Sequence, residues 1–385
     1  MKKSFLLAAF AGILLAGCTS DEQTEVATSR TDNPIVFNSP IVNAQTRAVA
    51  GEQPVNGKYS TSEKFRVYAV QHIGNFQGWT AAETQLYLNN LEVIYKPSIN
   101  DNGTTKAGWA PSFPVFWPKT DNAKLTFAAY SPSDANEFNP VYNNTGLSFT
   151  GFTPKPTVAD QYDLMYSSRS YNRTASRNEL TPGTGHTTNS YNGVDILFHH
   201  ALSSINFKAK TAAIYPNTVI KIQRITINNA YTKADFKENI TNEDVDNFER
   251  EPYWSNFQTP TDYVVFNSGT DALSTTATDP LGHPALLIPQ KMDGTDESSA
   301  GQEIKVTVNY TIKVGDGAAV AQTGVVSFFK GNNGTYFNDN TTPIVAWEMG
   351  KRYTYTISIG LNNIIYFSPE VDNWENINAS GDINI

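Results

Sequence analysis

The chain has 385 residues, one cysteine, 28 Lys and Arg against 37 Asp and Glu, and a formal net charge of −9. A single cysteine excludes an internal disulfide framework, so stability must come from buried apolar surface and hydrogen bonding. An acidic chain with scattered cations offers no electrostatic footprint for nucleic acid or anionic lipid.

At the N-terminus, Lys2 and Lys3 precede an apolar run from Phe5 to Leu15. Its length fits a signal peptide and falls short of the about 20 residues a permanent span needs. The run ends in Leu15-Ala16-Gly17-Cys18, which resembles the lipobox of bacterial lipoproteins. Residues 1–17 are therefore expected to be a lipoprotein signal peptide and Cys18 the lipidated residue. Lipidation would consume the only thiol, which argues against a redox or nucleophilic role for Cys18. Two or more acyl chains give durable anchoring, since each buried methylene contributes about 0.8 kcal/mol. Residues 18–33 carry Asp21, Glu22 and Glu25 with almost no large apolar side chain, so they read as a flexible acidic tether. The acidic run resembles the surface-export signals of Bacteroidetes lipoproteins. The expected location is the outer membrane, lipid-anchored and surface-exposed. Losing Lys2 and Lys3 with the signal peptide moves the formal charge from −9 to −11.

The roughly 365 residues that remain exceed what one core usually serves, which favours two domains. Asn, Thr, Ser, Tyr and Phe are plentiful, the composition of strands joined by polar turns. Alternation predicts strands through Phe65, Val67 and Ala69; Leu125, Phe127 and Ala129; Val194, Ile196 and Phe198; and Ile205, Phe207 and Ala209. The longest period-two run is Ile304, Val306, Val308, Tyr310, Ile312 and Val314, followed by Tyr353, Tyr355, Ile357, Ile359 and Leu361. Such alternation sets one face on a core and the other in water, as in antiparallel sandwiches. Between Val219 and Ile227 the phase slips, so a β-bulge near Gln223-Arg224 or two short strands are expected. Turn-rich stretches cover Asn100–Gly103, Ser131–Asn144, Arg173–Gly193 and Thr270–Gly282. The chain reads as all-β, with one domain over 34–196 and a second over 197–385.

Catalytic signatures are missing. There is no Gly-x-Ser-x-Gly elbow, no His-Glu-x-x-His and no cysteine pair for zinc. His199 and His200 are adjacent on a predicted strand and point to opposite faces, so they do not ligate one metal together. The acidic groups Glu243, Asp244, Asp246 and Glu249, and Asp293, Asp296 and Glu297, lack the glycine of a calcium loop. No catalytic residue, metal or cofactor is expected. Of the six tryptophans, Trp79 and Trp254 lie in the most polar surroundings and are the candidates for stacking on a glycan.

Local signatures then point to a family. Phe116-Trp117-Pro118, Phe127-Ala128-Ala129-Tyr130-Ser131-Pro132, Asp163-Leu164-Met165-Tyr166 and Phe198-His199-His200-Ala201-Leu202-Ser203 resemble the fimbrillin-like (Mfa-like) family of Bacteroidetes. Leu286-Leu287-Ile288-Pro289-Gln290, Trp347-Glu348-Met349-Gly350-Lys351-Arg352-Tyr353 and Val371-Asp372-Asn373-Trp374 continue the resemblance in order. It implies two transthyretin-like antiparallel β-sandwich domains in a subunit of a type V pilus. Such subunits are lipoproteins trimmed by an arginine-specific protease, which frees a groove for a strand of another subunit. On this chain, Ile35, Phe37, Ile41 and Val42 mark Pro34 to Asn43 as the removable strand, within 34–47. Arg47 is the cleavage point and Arg30 a competing one. Ile377, Ile383 and Ile385 give the tail the partial apolar face of a donor strand, interrupted by Ser380, Gly381 and Asp382. The implied partners are other fimbrial subunits and the outer membrane, with a host protein or glycan as adhesion target. The alternative is a monomeric surface lipoprotein that binds host or dietary glycans.

Overall fold

The computed structural model describes residues 34–43, 56–76, 86–101, 104–120, 122–174, 193–238, 253–293, 303–328, 344–361 and 364–373. Among the described residues the chain is mostly β, with two short 3-10 helices at Ser133–Phe138 and Val158–Asp160.

The first sheet takes its strands in the spatial order Asn56–Lys58, Ile41–Asn43, Leu197–His200, Met165–Ser167, Ala123–Ser131, Lys64–Ile73, Leu86–Asp101 and Thr104–Pro111. Ser170–Arg173 also pairs with Ala123–Ser131. The predicted inward residues Phe65, Val67, Ala69, Leu125, Phe127 and Ala129 share one core cluster with Ile196 and Phe198. The opposite faces differ from the water-facing expectation: Tyr68, Val70, Ala128 and Tyr130 are buried in a second cluster. The central strands therefore carry apolar side chains on both faces, and alternation alone shows only one of them.

The remaining strands form two further main sheets and a two-stranded pair of Gln290–Lys291 with Ala346–Trp347. One runs Ala285–Leu287, Ser203–Thr211, Lys351–Ile359, Ile364–Asn373. The other runs Val320–Ser327, Lys305–Val314, Thr218–Lys237, Gly146–Phe152, Val141–Asn143, with Tyr253–Phe266 also on Thr218–Lys237. Both contribute to a third cluster, in which Ile205, Phe207, Tyr353 and Tyr355 meet Ile220, Ile222, Val306 and Val308. Val306, Val308, Tyr310 and Ile312 are buried as the alternation predicts, whereas Val314 and Leu361 are exposed. Thr218–Lys237 is one continuous strand. Its register against Lys305–Val314 shifts between Ile222 and Arg224, so a bulge at the expected place turns Ile220, Ile222, Ile225 and Ile227 all into the core.

Most pairings are antiparallel, with two corrections to that expectation. Ile41–Asn43 runs parallel to Leu197–His199, and Ser203–Thr211 runs parallel to Lys351–Ile359. Both join segments more than 100 residues apart, which a hairpin reading of neighbouring runs does not reach.

The two halves of the sequence interleave. Leu197–His200 lies in the first sheet, while Gly146–Phe152 pairs through Phe149 and Phe152 with Phe236 and Ala234. The second cluster mixes Tyr68, Tyr130, Phe149 and Leu164 with Leu202, Phe236, Trp254 and Ile288. At this seam the buried Glu238 carboxylate accepts a hydrogen bond from the Leu147 N–H at 2.7 Å. Burial raises its pKa, with the Arg169 charge and that hydrogen bond pulling the other way.

Candidate functional site

The segment Pro34–Asn43 is built into the first sheet as a stave between two distant stretches of chain. Phe37 faces Trp109 in antiparallel and Val194 in parallel arrangement, and Pro34 faces Phe116. The Ile35 N–H donates to the Val115 carbonyl and the Phe37 N–H to the Trp109 carbonyl, each at 2.9 Å. On the other side, the Asn38 N–H donates to the Val194 carbonyl at 3.0 Å, and the Val194 N–H to the Val36 carbonyl at 2.8 Å. The Ile41 N–H donates to the Ile196 carbonyl at 3.0 Å, and Ile41–Asn43 continues as the parallel strand beside Leu197–His199.

Side chains complete the seating. Ile35, Phe37 and Val42 are buried in the first core cluster. The Phe37 ring meets Phe65 and Phe127 edge-on, with centroids at 5.6 and 5.9 Å. Val36, one residue out of phase, is buried on the other side with Ile99 and Ala110. Ile41 is only half-buried. Ile41 and Val42 are sequence neighbours, so strand alternation turns only one of them to the core, and it is Val42. Cys18, Arg30, Arg47, Ile377, Ile383 and Ile385 lie outside the described residues.

Two contacts on the segment had no signal in residue spacing. The Asn38 side-chain amide donates to the Asp195 carboxylate, whose other oxygen lies 3.6 Å from the Arg173 guanidinium. Gly193 has φ +146°, and a Cβ there would stand 2.5 Å from the Phe37 carbonyl carbon and 2.7 Å from the Asn38 nitrogen. That approach is to main chain, which cannot swing aside, so the position requires glycine.

The histidine pair divides as expected from strand alternation. His200 is buried, with Nδ1 2.5 Å from the Asp163 carboxylate. His199 stacks on Tyr166 at 5.3 Å, and its Nε2 lies 2.6 Å from the Ser168 hydroxyl. Burial, then the neighbouring His200, pushes the His199 pKa down to about 4. Among the described residues no three His, Cys, Asp or Glu side chains are grouped to hold a metal ion. Trp254, a candidate glycan platform, is instead a core residue: its ring packs on Phe152 and Phe236, and its Nε1–H donates to the Ala201 carbonyl at 2.8 Å. Trp79 and the second acidic candidates Asp296 and Glu297 lie outside the described residues, as do Glu243, Asp244, Asp246 and Glu249.

The arrangement defines a class: a multi-sheet β protein in which an N-terminal segment occupies a strand position that two separate edges leave open. The chain belongs to the fimbrillin-like family, whose pattern matches residues 46–374. It is similar to the fimbrium subunit Fim1C of Phocaeicola vulgatus, at 25% identity over 419 aligned residues covering all of both chains. The crystal structure of a fimbrial protein from Bacteroides vulgatus has a similar fold, with a TM-score of 0.57 at 19% identity, covering 89% of this chain and 100% of that one.

Proposed function

We propose that the chain is a structural or adhesive subunit of surface fimbriae of the type V kind, not an enzyme. In this reading it is exported as a lipoprotein through Cys18 and trimmed at Arg47, with Arg30 the competing site. The two-unit organisation, with transthyretin-like sandwiches divided near residues 196–197, is part of the same proposal. Across that division Leu197–His200 is lent to the first sheet and Gly146–Phe152 to the sheet of Thr218–Lys237.

The observation that carries the reading is the seating of Pro34–Asn43. Four of its side chains, Ile35, Val36, Phe37 and Val42, are buried, a gross hydrophobic contribution of about 6–12 kcal/mol at about 1.5–3 kcal/mol each. The segment is covalently tied to the rest only through residues 44 onward, and the family match begins at Thr46, beside Arg47. Cleavage there would release the segment and bare both a strand position and an apolar trough. Exposed, each is costly in water, and a strand from another subunit satisfies both. The tail that bears Ile377, Ile383 and Ile385 is the proposed donor.

The test is the N-terminus and size of the protein recovered from the cell surface. A start at Ala48 within SDS-resistant ladders supports the proposal, and Arg47→Ala is expected to abolish both. Normal fimbriae from that variant would sink the cleavage step. An intact lipidated Cys18 on a monomer would favour a tethered binder or an anchor subunit.

A further inference from the structure

Sheet ends are where another chain can add a strand, and proteins blunt them with short strands, charges, prolines, bulges or a covering segment. Among the described residues, all the end strands but one carry such a device. Asn56–Lys58, Val141–Asn143, Ser170–Arg173 and Ala285–Leu287 are no more than four residues long. The outer edge of Thr104–Pro111 takes the N-terminal stave, through the Phe37 N–H and the Trp109 carbonyl. Tyr253–Phe266 contains Pro260 and Asp262 and shifts register three times against its neighbour. Ile364–Asn373 contains Pro369, Glu370 and Asp372. The exception is Val320–Ser327, eight residues with no charge, no proline and no register shift against Lys305–Val314. Val320 and Val325 on it are 55% and 60% exposed.

The phase of its main-chain groups follows from two hydrogen bonds. The Phe328 N–H donates to the Ile304 carbonyl at 3.1 Å, and on the far side of Lys305–Val314 the Gly315 N–H donates to the Asn217 carbonyl at 2.7 Å. Antiparallel pairing alternates residue by residue, and both bonds give the same phase. Val320, Gln322, Gly324 and Val326 bond inward to Lys305–Val314, while the main-chain groups of Ala321, Thr323 and Val325 point out of the sheet. The Asn309 side-chain amide donates to the Thr323 hydroxyl at 2.9 Å and holds that side chain on the outer face.

We propose that Val320–Ser327 pairs antiparallel with the same strand of a second copy of this chain, about a two-fold axis at Thr323. The strand is self-complementary in that register. The three outward residues pair with one another, Ala321 with Val325 and Thr323 with Thr323, a favoured cross-strand match. On the inner face Val320 meets Val326, and the long Gln322 side chain lies over Gly324. A slip of two residues sets Gly324 on Gly324 and leaves a hole, or sets Gln322 on Gln322. No charge enters the contact. Lys305 and Lys313 stand one strand back, so Lys305 of one copy and Lys313 of the other are three strand spacings apart, about 14 Å. That exceeds the screening length of about 8 Å in physiological salt. A two-fold contact closes on itself. With about six main-chain hydrogen bonds it falls below the roughly 1,200 Å² of stable interfaces, so it is weak in solution. On the fimbrial reading, copies repeated along a filament add such contacts together and join one filament to the next.

The test uses the uncleaved full chain carrying Cys18→Ala, so that an introduced thiol is the only one. No strand exchange at the groove is involved, and failure here leaves the fimbrial reading untouched. Thr323 faces its own counterpart with Cα atoms about 5.5 Å apart, within disulfide reach. Ala321 faces Val325 and stands roughly 14 Å from its own counterpart. Under mild oxidation, Thr323→Cys is therefore expected to give at least about five times as much disulfide dimer as Ala321→Cys. Sedimentation of the thiol-free chain at rising concentration, up to about 100 µM where weak contacts register, is expected to show a dimer. Val325→Lys, a charge on the edge, should weaken it about tenfold or more. Thermal melts check that the variants fold, and Ala321→Lys replaces Val325→Lys if the latter melts early. Equal dimer yields from the two thiol variants overturn the proposal. So does a chain that stays monomeric throughout with no Thr323→Cys dimer, or self-association that ignores the lysine.

Discussion

Truncating Phe37 to alanine probes the energy that holds the N-terminal segment in place. The ring is 2% exposed and wedged between Phe65 and Phe127. Those two rings sit on Lys64–Ile73 and Ala123–Ser131, central strands paired on both sides, so the site cannot collapse to fill the void. Core Phe→Ala changes cost about 3–5 kcal/mol, more where the surroundings are rigid, which places Phe37→Ala near the upper half of that range. Ile41→Ala, at a half-buried position of the same segment, serves as control and is expected to cost about 1 kcal/mol. The assay is urea denaturation of uncleaved protein, followed by tryptophan fluorescence, with hydrogen exchange at the Ile35, Phe37 and Asn38 amides measured alongside. Trp109 is buried against Phe65 and pairs with Phe37, so its emission reports on the trough directly. A loss under about 1 kcal/mol with the segment amides still protected would refute the view that Phe37 anchors the stave.

Other outcomes follow from neighbouring features. Gly193→Ala meets main chain at 2.5 Å and is expected to strip protection from residues 35–41 while leaving Ser203–Thr211 unchanged; retained protection would contradict the close approach. His199, with a pKa pushed down to about 4, is held neutral in the folded protein. Its stabilising contribution is therefore complete above the ordinary histidine pKa of about 6.5 and is lost as pH falls toward 4, by about 2 kcal/mol at pH 5. Urea titrations at pH 7 and 5 should show that share of the loss vanish in His199→Asn. Trp254→Phe forfeits the hydrogen bond to the Ala201 carbonyl and is expected to lower stability by about 1–2 kcal/mol, read from the same denaturation curves, with no change in retention on a glycan array.

How much was legible in the sequence depended on whether a feature is local. The alternation at Ile304–Ile312 and the phase slip at Gln223-Arg224 are properties of one strand, and both appear where they were expected. Of the residues that the family resemblance marks on Pro34–Asn43, Ile35, Phe37 and Val42 are buried and Ile41 is only half-buried. The second apolar face of Lys64–Ile73 was not legible, because Tyr68 and Val70 are covered by residues such as Phe149 and Leu202, which come much later in the chain. Trp254 misled because its flanking residues are polar while its ring reaches across the strand pairing to Phe152 and Phe236. The Asn38–Asp195 contact joins residues 157 apart, and Gly193 looked like an ordinary loop glycine. Spacing within a segment carries no information about such partners.

The order in which the strands find one another also constrains how the chain matures. Ile41–Asn43 waits for Leu197–His200, and Gly146–Phe152 waits for the last turn of sequence in Thr218–Lys237. A chain threaded out from its N-terminus therefore cannot close its first sheet until about 200 residues have emerged, nor cover Phe149 and Phe152 until nearly 40 more have followed. Non-local pairing of this kind folds slowly and leaves apolar edges bare in the meantime. The stave Pro34–Asn43 takes its strand position once Val194 arrives, which shortens the time its apolar trough stands bare.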